Sequence, residues 1–224
     1  LNKLWNANNF LITNKCDFSD IDKVPNLSVN INKWIYTELI EAKSKIEKNL
    51  EDYRFDEAAK NAYQFAWHSY CDWYLELSKT ILFSDNEEAK NEVRKVSSYV
   101  FKQILILLHP FIPFVTEEIW LNNKFDKSGK DFLMHANWPT GDINKDSSTE
   151  QVENIISIIS EIRSFKNELN VSPGSFIDMS INNINDDQKD FINNNEIILK
   201  KLGRINNILN DDLDKPAATM VVSG

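Results

Sequence analysis

The longest unbroken pattern of apolar and polar positions runs from Tyr53 to Lys79 and contains neither Gly nor Pro, so nothing in it breaks a helix. Apolar residues recur at spacings of three and four, which predicts one face of an α-helix. That row is Ala59, Tyr63, Ala66, Tyr70, Tyr74 and Leu77, and a second row beside it is Ala62, Phe65, Ser69 and Trp73. A helix that is apolar over more than half its girth belongs in the middle of a bundle. Asp56 is predicted as its N-cap.

Further segments with helical periodicity lie on either side of this central helix. They are Leu1–Ile12, Ser28–Leu50, Asp85–Leu108 and Val115–Leu121. Asp85 is predicted to cap the third of them. Pro110 and Pro113 bend the chain before the fourth, because Pro lacks an N–H and clashes with the preceding turn. The pattern therefore predicts a mainly α protein in which residues 1–140 form a helical bundle.

The rhythm of the chain changes after the linker Gly141–Ser148. Ser148 and Gln151 fit a capping box, and the helix behind it is predicted to bury Val152, Ile155, Ile156, Ile159, Ile162 and Leu169. Ile177, Met179 and Ile181 alternate with polar residues, as in a half-buried strand.

A helix over residues 186–202, broken near Asn193–Asn195, and short strands at Arg204–Leu209 and Thr219–Val222 complete the prediction. Residues 147–224 are thus expected to form a small α+β domain. Because the pattern starts and stops abruptly at Leu1 and Gly224, we expect a fragment whose second domain is truncated.

Composition narrows the choice of function. The chain has 224 residues and a net charge of −9, which argues against bulk-charge gripping of nucleic acid, since that requires Lys and Arg. An RNA site would have to be local. Two cysteines, Cys16 and Cys71, form no disulfide framework and indicate a reduced intracellular protein. No apolar run is long enough to span a bilayer, and no signal peptide is recognised.

The central helix carries the candidate chemistry. Its many aromatic residues are explained by core packing, with stacking on unpaired bases as the alternative for one or two of them. His68, Cys71 and Asp72 lie on adjacent turns, but a zinc site needs a third and usually a fourth good ligand. Cys71 is expected to be a small buried hydrophobe rather than a nucleophile. No Gly-rich phosphate loop occurs, so recognition is favoured over catalysis.

Several strings in the chain resemble the valyl-tRNA synthetases. The strings YRFDEAA and CDWYLE, together with Trp67 between them, resemble the sequence of the central helix in that family's anticodon-binding domain. LNKLWNANNF at the start is similar to the segment after the catalytic half, although Asn9 stands where Arg is common. LHPFIPFVTEEIW resembles a motif shared with the isoleucyl and leucyl enzymes. The resemblance covers Leu1–Trp138 well and Thr149–Pro173 moderately.

This resemblance implies a class I anticodon-binding bundle and a role in recognising the anticodon of tRNA(Val). The full enzyme would join valine to its tRNA using ATP and Mg²⁺. No HIGH-like or KMSKS-like string is present, so neither catalytic nor metal-binding residues are expected here. The residues expected to contact tRNA are Asn6, Asn9, Lys33, Trp67, Tyr70, Asp72 and Trp73, with Arg163 and Lys166 on phosphates. A purely structural role is the alternative for each of them.

The resemblance also implies partners and rival functions. The expected partners are the anticodon stem-loop of tRNA(Val) and the catalytic and editing domains of the same chain. The enzyme is expected to be a cytoplasmic monomer that does not bind a membrane. One alternative is the corresponding domain of the isoleucyl or leucyl enzyme. The other is a helical interaction scaffold that binds no RNA, which the net charge of −9 favours.

Overall fold

The computed structural model describes residues 2–18, 21–125, 132–142, 147–209 and Thr219. The chain divides into two compact units, Leu1–Thr149 and Glu150–Gly224. The predicted linker Gly141–Ser148 ends next to this division.

The first unit is a helical bundle, as predicted. Its helices are α1 (Asn2–Thr13), α2 (Asn30–Glu51), α3 (Phe55–Gln64), α4 (Leu75–Leu82), α5 (Glu87–Leu108) and α6 (Pro113–Asn123). A π-helical segment, Phe65–Tyr74, joins α3 to α4 without a break, and a short 3₁₀ turn occupies Leu133–His135. The continuous central helix α3–π–α4 packs against both α2 and α5, which confirms its predicted central position.

The π segment changes which side chains of the central helix face inward. The buried row is Ala58, Ala62, Ala66, Tyr70 and Tyr74, a strict spacing of four. At 3.6 residues per turn such a row drifts around an α-helix. The i→i+5 bonding of a π segment widens each turn and keeps the row on one side. Tyr63 lies in α3, directly after the buried Ala62 and before the π segment, and it is 53% exposed, so our prediction of Tyr63 in the inner row is wrong.

Two buried tyrosines of this row join the central helix to its neighbours. Tyr70 and Tyr74 are both 0% exposed. The Tyr70 hydroxyl donates to the Ser97 carbonyl of α5 at 2.9 Å, and the Tyr74 hydroxyl donates to Asn32 Oδ1 of α2 at 2.8 Å. Buried hydroxyl groups must find such partners, since an unsatisfied one is costly.

The helix ends differ from the predicted caps. The residue at the N-cap position of α3 is Arg54, and Asp56 lies inside the first turn. The Asp56 carboxylate therefore interacts favourably with the helix dipole but does not cap the helix. Asn86, not Asp85, caps α5, its side chain accepting from the Ala89 N–H. Pro113 begins α6, as its fixed φ and missing N–H allow.

The start of α2 is capped from another helix. Its own N-cap residue, Val29, makes no side-chain cap bond. Glu92 of α5 instead accepts from the backbone N–H groups of Ser28 and Val29, each at 2.9 Å, and from Asn32 Nδ2 at 2.9 Å. A carboxylate at this point also meets the positive end of the helix dipole.

The second unit contains a small parallel sheet with helices. Its elements are α7 (Ser147–Glu168), which starts just before the division, β1 (Ile177–Ser180), α8 (Asp186–Asn194), α9 (Glu196–Gly203) and β2 (Ile205–Leu209). β1 and β2 pair in parallel, Ile177 opposite Ile205, with α8 and α9 forming the crossover. The predicted break is confirmed at Asn195.

The buried row of α7 agrees only in part with the prediction. On α7, Val152, Ile155, Ile159 and Ile162 are buried as predicted. Ile156 is only half-buried, and Leu169 beyond the end of the helix is 45% exposed. Of the strand predicted at Thr219–Val222, all but Thr219 lies outside the described residues.

Candidate nucleic-acid interface

The first helix is held beside the central helix by two contacts. Near its start, the Lys3 ammonium donates to the Trp67 carbonyl at 3.3 Å and makes a close ion pair with Asp72. Two turns later, the Lys79 ammonium of α4 lies 5.7 Å from the centre of the Phe10 ring, within the range of a cation–π interaction. Helix α1 therefore runs alongside the central helix in the same direction.

Two of the predicted contact residues lie on the exposed side of α1. Asn6 and Asn9 are exposed and stand three residues apart, so they occupy neighbouring positions on the helix surface. The intervening Asn8 has the opposite environment, because it is 3% exposed and its Oδ1 accepts from Asn123 Nδ2 at 2.5 Å. The exposed amides carry donors and acceptors that match base edges.

Trp67 lies at the edge of the π segment with a partner that the sequence did not reveal. Its ring stacks on Tyr63 with the ring centres 4.7 Å apart and the planes inclined by 22°. Trp67 is half-buried and Tyr63 is 53% exposed. Residue spacing carried no signal that Tyr63 is exposed, since Phe65 and Trp73 also lie off the alanine–tyrosine row and are buried. We call Lys3, Asn6, Asn9, Tyr63, Trp67 and Asp72 the α1 edge.

The structure corrects the expectation for Tyr70 and Trp73. Tyr70 is 0% and Trp73 is 5% exposed, so neither ring offers a face to a base in this conformation. Tyr70 stacks between Tyr74 and Phe101, at 5.6 Å and 6.1 Å between ring centres. Burial raises the pKa of Tyr70 well above its ordinary value, and the phenol stays neutral. Both residues pack the core.

The remaining cationic predictions lie on other helices. Lys33, on the first turns of α2, is half-buried. Arg163 of α7, in the second unit, is exposed, and its Nε and Nη2 donate to the Leu202 carbonyl at 3.3 Å and 3.0 Å. Lys166 is only 4% exposed and donates to the Ser175 carbonyl at 2.5 Å. The expectation that Lys166 contacts a phosphate directly is therefore corrected, since its ammonium is turned to the protein.

An open groove lies on the other side of the π segment, between α2 and the central helix. Its volume is about 360 Å³, and its lining includes Glu38, Glu41, Lys45, Gln64 and His68. The Ser69 hydroxyl donates to Glu38 at 2.8 Å. Two carboxylates against one lysine disfavour a phosphate here, although carboxylates can accept from the amino groups of bases.

The described residues contain nothing arranged for covalent or metal chemistry. Burial raises the pKa of Cys71 to about 12, an effect that nearby Lys3 opposes, and the reactive thiolate is scarce at neutral pH. Across the described ranges, no three His, Cys, Asp or Glu side chains group in a way that could hold a metal ion. Within the same ranges, every helix is too short or too polar to cross a membrane.

Comparisons with known proteins concern the chain as a whole and do not test individual contact residues. Residues 32–181 match the family model described as the anticodon-binding domain of tRNA ligase. Over its whole length the chain is 77% identical to the valine–tRNA ligase of Pelagibacter ubique. The match covers 26% of that protein. The chain is also 34% identical to the valine–tRNA ligase of Mesorhizobium japonicum and 35% identical to that of Rhizobium meliloti. Each match spans 99% of the chain and 24% of the relative.

These relatives confirm the resemblance to valyl-tRNA synthetases that the motifs indicated. The chain spans about a quarter of the length of the curated relatives that it matches. The family model covers two thirds of the chain and includes the central helix and its neighbours α2 and α5. The chain belongs to the family of anticodon-binding domains of tRNA ligases.

Proposed function

We propose that this chain is the part of a valine–tRNA ligase that recognises the anticodon stem-loop of tRNA(Val). The observation that carries the proposal is the Tyr63–Trp67 stack at the surface of the central helix of the family's bundle, with Lys3 of α1 donating to the Trp67 carbonyl. The identity of 77% to a valine–tRNA ligase supports valine over isoleucine or leucine.

The chemistry of the α1 edge suits unpaired bases. Sequence-specific RNA recognition uses bases that are splayed out, stacked on aromatic rings and hydrogen-bonded at their edges. In our proposal the Tyr63–Trp67 stack supplies the platform, and Asn6 and Asn9 supply the donors and acceptors. Asp72 is engaged by Lys3, so its first role is to position α1. Lys33 and Arg163 remain proposed contacts to the RNA backbone.

The chemical step belongs to the rest of the enzyme in this proposal. The full protein would use ATP and Mg²⁺ to join valine to its tRNA, with catalytic and editing domains outside this chain. We place it in the cytoplasm as a monomer. The fragment itself would contribute binding energy and specificity, which position the tRNA for a reaction elsewhere.

The test is binding of the 224-residue chain to two stem-loops, one with a valine anticodon and one with its central base changed. Binding is measured at two salt concentrations, because phosphate contacts weaken with salt. The proposal expects a preference for the valine loop and a loss of affinity at high salt. Equal affinity for the two loops would contradict it.

A second candidate is a helical interaction scaffold that binds no RNA. The net charge of −9 favours it, since an acidic surface repels phosphate. A scaffold would show neither a preference between the loops nor a salt-dependent affinity for them. The same titration therefore separates the two candidates.

A further inference from the structure

A cluster of positive side chains lies in the second unit, where the start of β1 meets the end of α9. Lys166 reaches the Ser175 carbonyl at 2.5 Å, and Arg163 reaches the Leu202 carbonyl at 3.0 Å. Arg204 follows directly after α9, and its carbonyl accepts from the Ile177 N–H at 3.1 Å. This bond places Arg204 beside Phe176, next to the residue that Lys166 contacts.

The positive charges in this cluster repel one another. Burial and the charges of Arg204 and Arg163 lower the pKa of Lys166, so the three cations are close enough to interact. The chain as a whole carries a net charge of −9, so this positive cluster contrasts with the rest of the protein. An anion bound among these cations would offset their repulsion.

Arg204 is the member of the cluster that combines an exposed guanidinium with an exposed aromatic ring. Its side chain is exposed, and its guanidinium carbon lies 5.5 Å from the centre of the Phe176 ring. Phe176 itself is 51% exposed. An Arg guanidinium has five N–H donors, and their fork matches the oxygens of a phosphate.

We propose that Arg204, which lies over the Phe176 ring and is flanked by Arg163 and Lys166, binds a backbone phosphate of the tRNA. The proposal rests on the proposed function, because it takes the tRNA as the ligand. An exposed aromatic ring beside a cation is the combination that binds single-stranded RNA through its backbone and base faces. A phosphate contact carries no sequence information, so this contact serves every tRNA alike and leaves the choice of anticodon to the first unit.

The backbone at Arg204 provides a clean test. Its φ of 56° and ψ of 57° are left-handed, a conformation that Gly adopts more easily than Arg. Arg204→Gly therefore removes the guanidinium while relaxing the backbone, and we expect the variant to fold at least as well as the parent. A loss of binding in this variant then reports the missing side chain.

The experiment measures binding of the full chain to transcripts of tRNA(Val) and of the same tRNA with its central anticodon base changed, between about 50 and 200 mM salt. Arg204→Gly is expected to weaken binding of both transcripts about three- to tenfold at low salt. It should also reduce the slope of log affinity against log salt by about one. The ratio between the two transcripts stays as in the parent.

The matched control is Lys189→Gln, which removes one positive charge from an exposed position on α8 of the same unit. It should leave the salt slope unchanged. Arg204→Lys keeps the charge but loses the fork, and is expected to restore only part of the affinity.

Three outcomes overturn the phosphate site. They are parental affinity and slope in Arg204→Gly, an equal loss in Lys189→Gln, and a parent chain that binds neither transcript. In the first two, a retained preference for the valine anticodon leaves the proposed function standing. A parent that binds both transcripts equally but loses affinity in Arg204→Gly contradicts the anticodon function and keeps the phosphate site.

Discussion

Two pairs of stacked aromatic rings lie on the same helix in opposite environments. Tyr70 and Tyr74 stack at 5.6 Å with an inclination of 28°, and both are fully buried. Tyr63 and Trp67 stack at 4.7 Å with an inclination of 22°, but Tyr63 is 53% exposed. Ring type and stacking geometry are similar, so burial against the neighbouring helices separates the pair that stabilises the bundle from the pair that offers an exposed ring to a ligand.

The largest expected effect comes from removing a ring of the buried pair. Tyr70→Ala is expected to lower the free energy of unfolding by about 3–5 kcal/mol, because it leaves a cavity next to Phe101 and the Ser97 carbonyl. Tyr63→Ala is the matched control on the same helix and should cost less than about 1 kcal/mol. Urea unfolding of both variants measures the difference. Equal losses would show that the two environments are not distinct.

The Tyr63–Trp67 pair, of which Tyr63 is exposed and Trp67 half-buried, should respond more in binding than in stability. Trp67→Ala is expected to weaken binding of the valine stem-loop by about 1–3 kcal/mol, the contribution of one base stacked on an aromatic ring. Trp67→Phe keeps a stacking face and should retain most of the affinity. Titration of labelled stem-loop measures both variants. Parental affinity in Trp67→Ala would place the base contact elsewhere, and the groove on the α2 side would be the next surface to test.

The buried pair differs from the exposed pair also in its polar support. Tyr74 donates to Asn32, and Asn32 donates to Glu92, whose carboxylate caps α2. Burial alone would raise the pKa of Glu92, but hydrogen bonds from Asn32, Ser28 and Val29 outweigh it and hold the pKa below its ordinary value. Glu92→Gln is expected to lower the free energy of unfolding by about 0.5–2 kcal/mol at pH 7, as the loss of a cap does.

The pH dependence of this loss has a definite sign. A folded-state pKa below the unfolded value adds stability that is present above the unfolded pKa of about 4.3. That stability is lost as the pH falls through the folded pKa. The difference between parent and Glu92→Gln should therefore shrink as the pH is lowered from 7 to about 3. Unfolding curves at several pH values measure it, and a difference that does not change with pH would contradict the role of the charged carboxylate.

The sequence predicted the central helix because Tyr53–Lys79 lacks Gly and Pro, but it misplaced Tyr63. Tyr63 lies in the α-helical part of the central helix, where the adjacent Ala62 faces the core instead, and the apolar spacing did not distinguish these two neighbouring rows. The sequence identified Lys166 and Arg163 as candidate cations, but it did not reveal the carbonyl groups of Ser175 and Leu202 to which they donate. The pairing of Arg204 with Phe176 depends on the parallel register of β1 and β2, and the cap of α2 comes from Glu92, 60 residues away from Asn32. Such contacts between distant segments leave no periodic signal in the chain.

The smallest expected effect concerns the ion pair that anchors α1 beside the exposed rings. Lys3 and Asp72 have side chains 37% and 49% exposed, and pairs of this kind contribute about 0.2–1 kcal/mol. A double-mutant cycle of Lys3→Met and Asp72→Asn in urea unfolding should give a coupling energy in that range, smaller at high salt. The same cycle in stem-loop binding distinguishes two roles for Asp72. If it positions α1, Asp72→Asn weakens the valine loop and the altered loop by the same factor. If it reads a base, the factor differs between the loops, and the anchoring role assigned to Asp72 is then wrong.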